Sequence, residues 1–233
     1  MSKTIGVIVF PGSNCDHDAY HALKHVMGAE TRFLWHKDND LSGIDLLVIP
    51  GGFSYGDYLR SGAIARFSPI MQEVIQYSKQ GKPVLGICNG FQILLEAGLL
   101  PGAMLYNEKL RFVCKNVYIR LENEDTLFTR GLEKGELLDI PVSHGEGNYF
   151  IDRDGLRELQ DQNRIVFRYC NSEGFISAES NVNGSVDSIA GICNPTGNIL
   201  GMMPHPERAV EPLLGSTDGK KIFEAVLDNL AVA

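Results

Sequence analysis

Cys88 lies between two glycines, Gly86 and Gly90, where the apolar run "PVLGI" ends. Glycines two residues before and after a nucleophile are typical of a strand–turn–helix elbow, because larger side chains would collide with the helix or a neighbouring strand. Such a turn places the thiol at a helix N-terminus, where free N–H groups and the helix dipole favour the thiolate. The N–H of Asn89 could then donate into an oxyanion hole. Buried cysteines are also common at strand–helix joints, so this motif alone leaves catalysis and packing equally open.

His205 and Glu207 could supply the base that a thiol nucleophile needs. They lie in "GMMPHPER", just beyond the last apolar run and therefore at the carboxyl edge of the predicted sheet. Pro206 disfavours the helical region for His205, and residues two apart in an extended chain point to the same side. Glu207 could therefore orient the imidazole, as the carboxylate of a hydrolytic triad does. Together the two motifs favour a Cys88–His205–Glu207 triad over an incidental proline-rich turn.

Two loops are candidates for substrate contact. "VIPGGFSYGDY" contains the Gly51–Gly52 pair, which lets the backbone approach a ligand, so this turn is a candidate for the second half of an oxyanion hole. The alternative is an ordinary glycine-rich strand–helix loop. "PVSHGEGNY" carries Ser143 and His144 but has no elbow of its own, and it fits a loop near the substrate and a surface turn equally well.

Three further patterns carry weaker signals. His17, His21 and His25 recur every four residues on one helix face, which is metal-binding spacing, but no cysteine or carboxylate completes a site, so a solvated face is favoured. "GSTDGKK" has three rather than four residues between its glycines and follows no strand, so we interpret it as the start of the last helix, not as a phosphate loop. His36, in "HKDND", is assigned to a polar turn without a functional signal.

The elements that would position these residues alternate between strand and helix. Strands are predicted at residues 4–10, 31–35, 44–50 and 83–87, and helices at residues 16–27, 61–80 and 90–97, with Pro69 marking an early boundary or kink. This order predicts a doubly wound, mostly parallel α/β sheet with its site at the carboxyl ends of the strands. Residues 111–122, 137–143 and 164–170 indicate a smaller β-rich insertion or an antiparallel edge. Strands at 188–194 and 198–204 and a helix at 220–230 complete a single domain over residues 1–233.

Composition narrows the classes of function. The chain of 233 residues carries a formal net charge of −8 and lacks the basic face that nucleic-acid binding needs. No segment reaches the length of a membrane span, and the first apolar run stops at Pro11, too early for a signal peptide. Five widely spaced cysteines without a C-x-x-C pair are typical of a reducing compartment. We therefore expect a cytoplasmic protein that binds neither nucleic acid nor membrane.

The motifs taken together resemble a known family. G-x-C-x-G-x-Q around Cys88, followed by H-x-E at His205 and preceded by a Gly-Gly turn, is similar to the class I (triad) glutamine amidotransferases, whose fold is flavodoxin-like. Within that family, "FPGSNCD", "PGGFSYGDYLRSGAIAR", "GICNGFQIL", "SHGEGNY" and "MPHPER" resemble the glutaminase subunits of phosphoribosylformylglycinamidine synthases, which act in de novo purine biosynthesis. The resemblance covers essentially the whole chain, with no departure at a catalytic position.

The resemblance implies a specific chemistry. Cys88 would attack the side-chain amide of L-glutamine to form a glutamyl thioester. His205 would protonate the leaving ammonia and then activate water, with Glu207 orienting it. The backbone N–H groups of Gly52 and Asn89 would hold the oxyanion.

The resemblance also implies substrate contacts and partners. Gln92, Phe53 and His144 would line the glutamine site. Ammonia would pass to an ATP-dependent synthetase subunit that converts formylglycinamide ribonucleotide to formylglycinamidine ribonucleotide, and a small accessory subunit would join the same complex. No cofactor or metal is expected in this chain, and ATP and Mg²⁺ would bind to the synthetase subunit.

Other interpretations stay open at this point. The chain could be the glutaminase subunit of another amidotransferase, a non-catalytic flavodoxin-like binding module, or a relative of Cys-elbow peptidases or glyoxalases. The H-x-E pair counts against the last two classes, because neither needs it.

Overall fold

Eleven strands and five α-helices form within residues 3–232, the part of the chain that the computed structural model describes. In chain order they are β1 (Thr4–Val9), α1 (Asp16–His21), β2 (Glu30–Trp35), β3 (Leu46–Ile49), α2 (Pro69–Lys79), β4 (Val84–Ile87), α3 (Asn89–Glu96), β5 (Ala103–Leu105), β6 (Val113–Leu121), β7 (Leu137–His144), β8 (Asn148–Phe150), α4 (Arg153–Asp161), β9 (Ile165–Cys170), β10 (Ile189–Cys193), β11 (Ile199–Met202) and α5 (Asp218–Val232). A π-helical turn, Ala22–Val26, continues α1.

Nine of the strands form one sheet in the order β2–β1–β3–β4–β11–β10–β9–β6–β7. The first five of these strands pair in parallel, which confirms the predicted doubly wound α/β sheet. The last four continue the sheet with antiparallel pairing. The middle of the chain was predicted to form either a β-rich insertion or an antiparallel edge. Its strands at residues 113–121, 137–144 and 165–170 form an antiparallel edge of the main sheet. Among the described residues, β5 and β8 form a small separate sheet.

Burial explains why the central strands are apolar throughout. Every residue of β3, β4 and β11 is buried. A parallel strand that is covered on both faces has no solvent side, so its sequence is a continuous hydrophobic run and does not alternate. No helix within residues 3–232 is long and apolar enough to cross a lipid bilayer.

Two helices differ from the sequence-based prediction. The helix predicted over residues 61–80 begins at Pro69, and the preceding residues form turns, including a short 3₁₀ turn at Ala65–Phe67. Proline suits the first helical position, where its missing N–H would have no partner, so the boundary lies where Pro69 indicated. Helix α4 was not predicted, because its nine residues include only two large apolar side chains, Leu156 and Leu159.

The carboxyl ends of four parallel strands meet at one edge of the sheet. The segments that follow β1, β3, β4 and β11 begin at Phe10, Pro50, Cys88 and Met203. Each of these segments carries motif residues identified in the sequence. The candidate site therefore lies where open α/β sheets generally bind their ligands.

Candidate active site

Cys88 sits on a strained turn between β4 and α3. Its backbone has φ 50° and ψ −105°, a conformation that L-residues rarely adopt and that costs roughly 1–3 kcal/mol. The flanking glycines are needed for packing, as predicted. A Cβ on Gly86 would lie 2.8 Å from the carbonyl oxygen of Gly90, and a Cβ on Gly90 would collide with the carbonyl of Ile49 in β3. The elbow is thus imposed by close packing of backbone on backbone.

His205 and Glu207 form a buried pair beyond β11. The Nδ1 atom of His205 is 2.6 Å from Oε1 of Glu207, and both side chains are almost completely buried. The backbone N–H of His205 donates to the carbonyl of Pro141, which fixes the segment against β7. Since Nδ1 faces the carboxylate, Nε2 is the ring nitrogen left for Cys88, and it makes no hydrogen bond of ordinary geometry within residues 3–232.

The charge state of His205 follows from its neighbours. Burial alone would lower the pKa of His205, but the Glu207 carboxylate and the Cys88 sulfur together raise it well above its ordinary value. A cationic imidazole of this kind can donate a proton from Nε2 to a reacting group next to the sulfur. The structure thus brings together the three residues predicted to form a triad, in an arrangement suited to nucleophilic chemistry.

Gly52 and Asn89 present the backbone expected of an oxyanion hole. Gly52 follows β3 with φ +119°, and a Cβ there would lie 2.6 Å from the backbone nitrogen of Asn14, so only glycine fits. The hydrogen bonds found among the described residues leave the N–H groups of Gly52 and Asn89 without an acceptor. Both groups are therefore available to a ligand beside Cys88.

A cleft with a volume of about 190 Å³ opens in front of the nucleophile. Of the predicted site residues, Gly52, Phe53, Cys88, Gln92 and His144 line it. Of the other three, His205 and Glu207 face a separate cavity of about 560 Å³ behind the predicted triad, and Asn89 lines neither space. Ser143 in β7 lines both spaces, and the backbone carbonyl oxygen of Ser143 lies 3.8 Å from the Cys88 sulfur.

Gln92 and Asn89 use their side chains to hold the cleft together. Nε2 of Gln92 donates to the carbonyl of Glu146 at 2.6 Å, and its Oε1 accepts from Nδ2 of Asn89 at 2.8 Å. Oδ1 of Asn89 accepts from the N–H of Ser54, and Nδ2 also donates to Asp57. Gln92 lines the cleft as predicted, but its amide is occupied on both sides. Asn89, expected to contribute only its backbone, also ties the loop after β3 to α3 through its side chain.

His144 is buried at the end of β7, so the surface-turn alternative is wrong. Its Nδ1 lies 3.1 Å from Oδ1 of Asn107, which also accepts from the N–H of Gly147. Nδ2 of Asn107 donates to the carbonyl of Arg111, so Oδ1 is the acceptor and Nδ1 of His144 is the donor. Burial and the nearby His205 lower the pKa of His144 to about 4, which leaves the ring neutral at physiological pH.

Cys15 is a neighbour of the triad that the sequence did not single out. Ligand atoms of Cys15, His205 and Glu207 lie within 4.8 Å of one another, a spacing that could suit a metal ion. However, the Arg208 guanidinium lies 3.0 Å from the Cys15 sulfur, and Glu207 already occupies Nδ1 of His205. Burial and the Glu207 carboxylate raise the pKa of the Cys15 thiol, so it stays protonated. These neighbours favour a structural role for the buried Cys15 thiol over a metal-binding role.

The remaining candidates have structural environments. On the first helix, His21 hydrogen-bonds Glu211 at 2.8 Å. His36 lies in a turn, as predicted, but its ring is buried and its Nδ1 lies 2.8 Å from the hydroxyl of Tyr55. The segment "GSTDGKK" leads into α5 at Asp218, as predicted.

Comparison with known proteins adds independent information. A family described as the CobB/CobQ-like glutamine amidotransferase domain matches residues 2–225. A protein from Salinibacter ruber is 55% identical over 232 residues, covering 100% of this chain and 99% of the relative. A protein from Koribacter versatilis is 57% identical over 226 residues, covering 97% of this chain and 98% of the relative. Both relatives are named phosphoribosylformylglycinamidine synthase subunit PurQ.

Solved structures agree with these sequence matches. A chain from the structure of PurLQS of Thermotoga maritima is 46% identical with a TM-score of 0.87, and the match covers 99% of this chain and 100% of that one. A glutamine amidotransferase from the same organism matches with a TM-score of 0.62 at 15% identity, covering 100% of both chains. The second likeness concerns the fold alone.

Proposed function

The chain belongs to the CobB/CobQ-like glutamine amidotransferase family, and from this premise we propose that Cys88, His205 and Glu207 carry out its glutamine hydrolysis. Relatives that are 53–57% identical over nearly the whole chain are subunits of phosphoribosylformylglycinamidine synthase. This chain has the same function, as an enzyme that hydrolyses glutamine within an amidotransferase complex of purine biosynthesis. The observation that carries the assignment of residues is the strained Cys88 elbow beside the buried His205–Glu207 pair.

Acylation begins with the Cys88 thiolate beside the imidazolium of His205. The sulfur attacks the side-chain carbonyl carbon of L-glutamine, and the resulting oxyanion accepts hydrogen bonds from the N–H groups of Gly52 and Asn89. His205 transfers its proton from Nε2 to the amide nitrogen, the C–N bond breaks, and ammonia leaves. A glutamyl thioester on Cys88 remains, and His205 is now neutral.

Deacylation uses the same groups in reverse. Neutral His205 takes a proton from water, and the hydroxide adds to the thioester carbonyl, where the same oxyanion hole is used again. The C–S bond then breaks, which releases glutamate and regenerates the Cys88 thiolate. Throughout, Glu207 accepts the hydrogen bond from Nδ1 and stabilises the charged ring, so Nε2 stays directed at the reacting atoms.

The complex determines where the ammonia goes. The chain forms a complex with other synthase subunits. We propose that one of them is an ATP-dependent synthetase that binds ATP and Mg²⁺ and receives the ammonia, that a small accessory subunit joins them, and that this chain needs no cofactor or metal of its own. Glutaminase turnover of the isolated chain should rise when the synthetase subunit is added, whereas full turnover without it would contradict this arrangement.

We also propose a cytoplasmic location. The five cysteines are all free, as a reducing compartment would leave them, and a biosynthetic ligase requires cytoplasmic ATP.

The decisive experiment replaces the nucleophile in the assembled complex. Cys88→Ala should abolish glutamine-dependent synthesis, while synthesis from added ammonium salt persists, because the synthetase site is intact. Cys114→Ala, at an exposed thiol outside the substrate cleft, is the matched control and should retain both activities. An electrophilic glutamine analogue should label Cys88, as located by mass spectrometry. Loss of both activities in Cys88→Ala, or labelling of Cys15 instead, would show that the mechanism is wrong.

A further inference from the structure

Two carboxylates line the cleft in front of Cys88. Asp57 comes from the glycine-rich loop after β3, and Glu146 comes from the loop after β7. Ser61 lies between them and donates its backbone N–H to Oε2 of Glu146 at 3.4 Å. Both carboxylates are half-buried, so each is partly removed from water without being excluded from the cleft.

No protein cation balances these two charges. Within residues 3–232, no lysine or arginine lines the cleft, and neither Asp57 nor Glu146 forms a salt bridge. The His144 ring in the same cleft is neutral at physiological pH. Burial raises the pKa of Asp57 to about 6, and Glu146 adds to this effect, although hydrogen bonds from Ser61 and Asn89 oppose it. Unpaired and partly desolvated carboxylates are costly unless a ligand supplies the positive charge.

The first turn of α3 contacts both acidic residues, Asp57 through its carboxylate and Glu146 through its backbone. Asn89, the residue after Cys88, donates to Oδ1 of Asp57 at 3.2 Å. One turn later, Gln92 donates to the backbone carbonyl of Glu146. The helix that carries the thiol at its N-terminus therefore also contacts Asp57 and Glu146. Recognition of a substrate at two points requires such a fixed arrangement.

The chemistry of the substrate identifies the occupant, given the proposed function. L-Glutamine carries its reactive carboxamide at one end and an α-ammonium group at the other. We propose that Asp57 and Glu146 together form the subsite that binds the α-ammonium group of glutamine while its carboxamide lies at Cys88. The α-carboxylate must then face away from both acids. This subsite would select free L-glutamine over amides that lack a charged α-amino group.

The test uses two neutral variants and a substrate without the α-amino group. Glu146→Gln and Asp57→Asn, each in the assembled complex, should lower kcat/KM for L-glutamine roughly 10- to 100-fold, chiefly through KM, because a charged hydrogen bond is lost. Glutaramate, which is glutamine without its α-amino group, should be a poor substrate of the unaltered complex. The two substitutions should change its kcat/KM less than about threefold, so the preference for glutamine collapses.

Several outcomes would overturn the subsite. Equal losses on glutamine and glutaramate would mean that the carboxylates only shape the cleft, and an unchanged KM for glutamine would mean that they do not touch the substrate. Ammonia-dependent synthesis and thermal melting of each variant check that the complex assembles. The proposed function fails separately, because it depends on Cys88→Ala: if Cys88 is essential and both neutral variants keep their KM, only the subsite is wrong.

Discussion

The cleft in front of the triad and the cavity behind it carry their charges in opposite ways. Behind the triad, each carboxylate has a basic partner: Glu207 pairs with His205, Asp18 with Arg208 at 2.9 Å, and Glu211 with His21 at 2.8 Å. In front, Asp57 and Glu146 have no basic partner among the described residues. Ser143 lines both spaces.

This difference distinguishes carboxylates that position a neighbouring side chain from carboxylates that bind the substrate. A carboxylate that is already paired and hydrogen-bonded gains little from a ligand and acts through the partner it holds. A partly buried carboxylate without a partner is destabilising until a cation arrives, so its cost is tolerated only where function requires it. We therefore assign the rear cavity to orientation of His205 and the front cleft to recognition of glutamine.

The largest expected effect comes from the pair that orients the base. Glu207→Gln should lower kcat for glutamine roughly 100-fold, the scale of losing properly arranged general acid–base catalysis, and should leave KM within about threefold. The raised pKa of His205 depends on this carboxylate, so the basic limb of the pH–rate profile should also move to lower pH. Steady-state kinetics of the complex at several pH values measures both.

Two controls accompany this variant. Ammonia-dependent synthesis should be unaffected, since we place that reaction in the partner subunit. A glutamine kcat that stays within about threefold of the original, with an unshifted pH profile, would show that Glu207 does not orient His205.

Asp57, which has no basic partner among the described residues, should make KM for glutamine depend on pH. Asp57 must be ionised to bind an ammonium group, and its pKa is raised to about 6, so KM for glutamine should rise as the pH falls through that value. The groups that face Asp57 are Ser61, Asn89 and Glu146, and His144 in the same cleft is neutral in this range. Asp57→Asn should have a high KM that no longer depends on pH near 6. A pH dependence that survives the substitution would place the titrating group elsewhere.

The same raised pKa predicts an effect on stability. The folded state holds the Asp57 proton more tightly than the unfolded state does. The contribution of Asp57 to the free energy of unfolding therefore falls as the pH rises from about 4 to 6. Asp57→Asn should therefore raise Tm at neutral pH by roughly 1–4 °C, and the gain should vanish below pH of about 4, where both states are protonated. Calorimetry at the two pH values measures it. A lower Tm at neutral pH would mean that Asp57 is a structural residue.

Sequence patterns were sufficient for the parts of the molecule that local rules determine. Apolar runs predicted β1 to β4, and glycine spacing predicted the elbow, because Gly86 and Gly90 meet their obstacles within one strand–helix unit and its neighbour. His205 and Glu207 were predictable from their H-x-E spacing after the last strand, although Pro206–Arg208 form a 3₁₀ turn and not the extended chain that was predicted. The motifs indicated a nucleophile, a base and an orienting carboxylate, whereas the chemistry on glutamine came from the family resemblance. These roles stay predictions until the substitutions are made.

The residues that sequence patterns missed all depend on contacts between distant loops. Asp57 and Glu146 share a cleft only because the loops after β3 and β7 meet above α3, and nothing in either segment shows this. Cys15 reaches the triad for a similar reason, from the loop after β1. His36 lies in its predicted turn, but its burial was missed, because the Tyr55 hydroxyl that contacts its ring comes from the loop after β3.

Neutralising a paired carboxylate in the rear cavity should have the smallest effect on kinetics and stability. Asp18 contacts Arg208 in the rear cavity, and both side chains are partly exposed, so the pair contributes on the order of 0–1 kcal/mol. Asp18→Asn should change Tm by less than about 4 °C, KM for glutamine by less than about twofold and kcat by less than about threefold, although it neutralises a carboxylate just as Asp57→Asn does. Kinetics and melting of the two variants side by side measure the contrast. If Asp18→Asn raised KM for glutamine as much as Asp57→Asn, KM would be responding to net charge near the triad, and the distinction between paired and unpaired carboxylates would be lost.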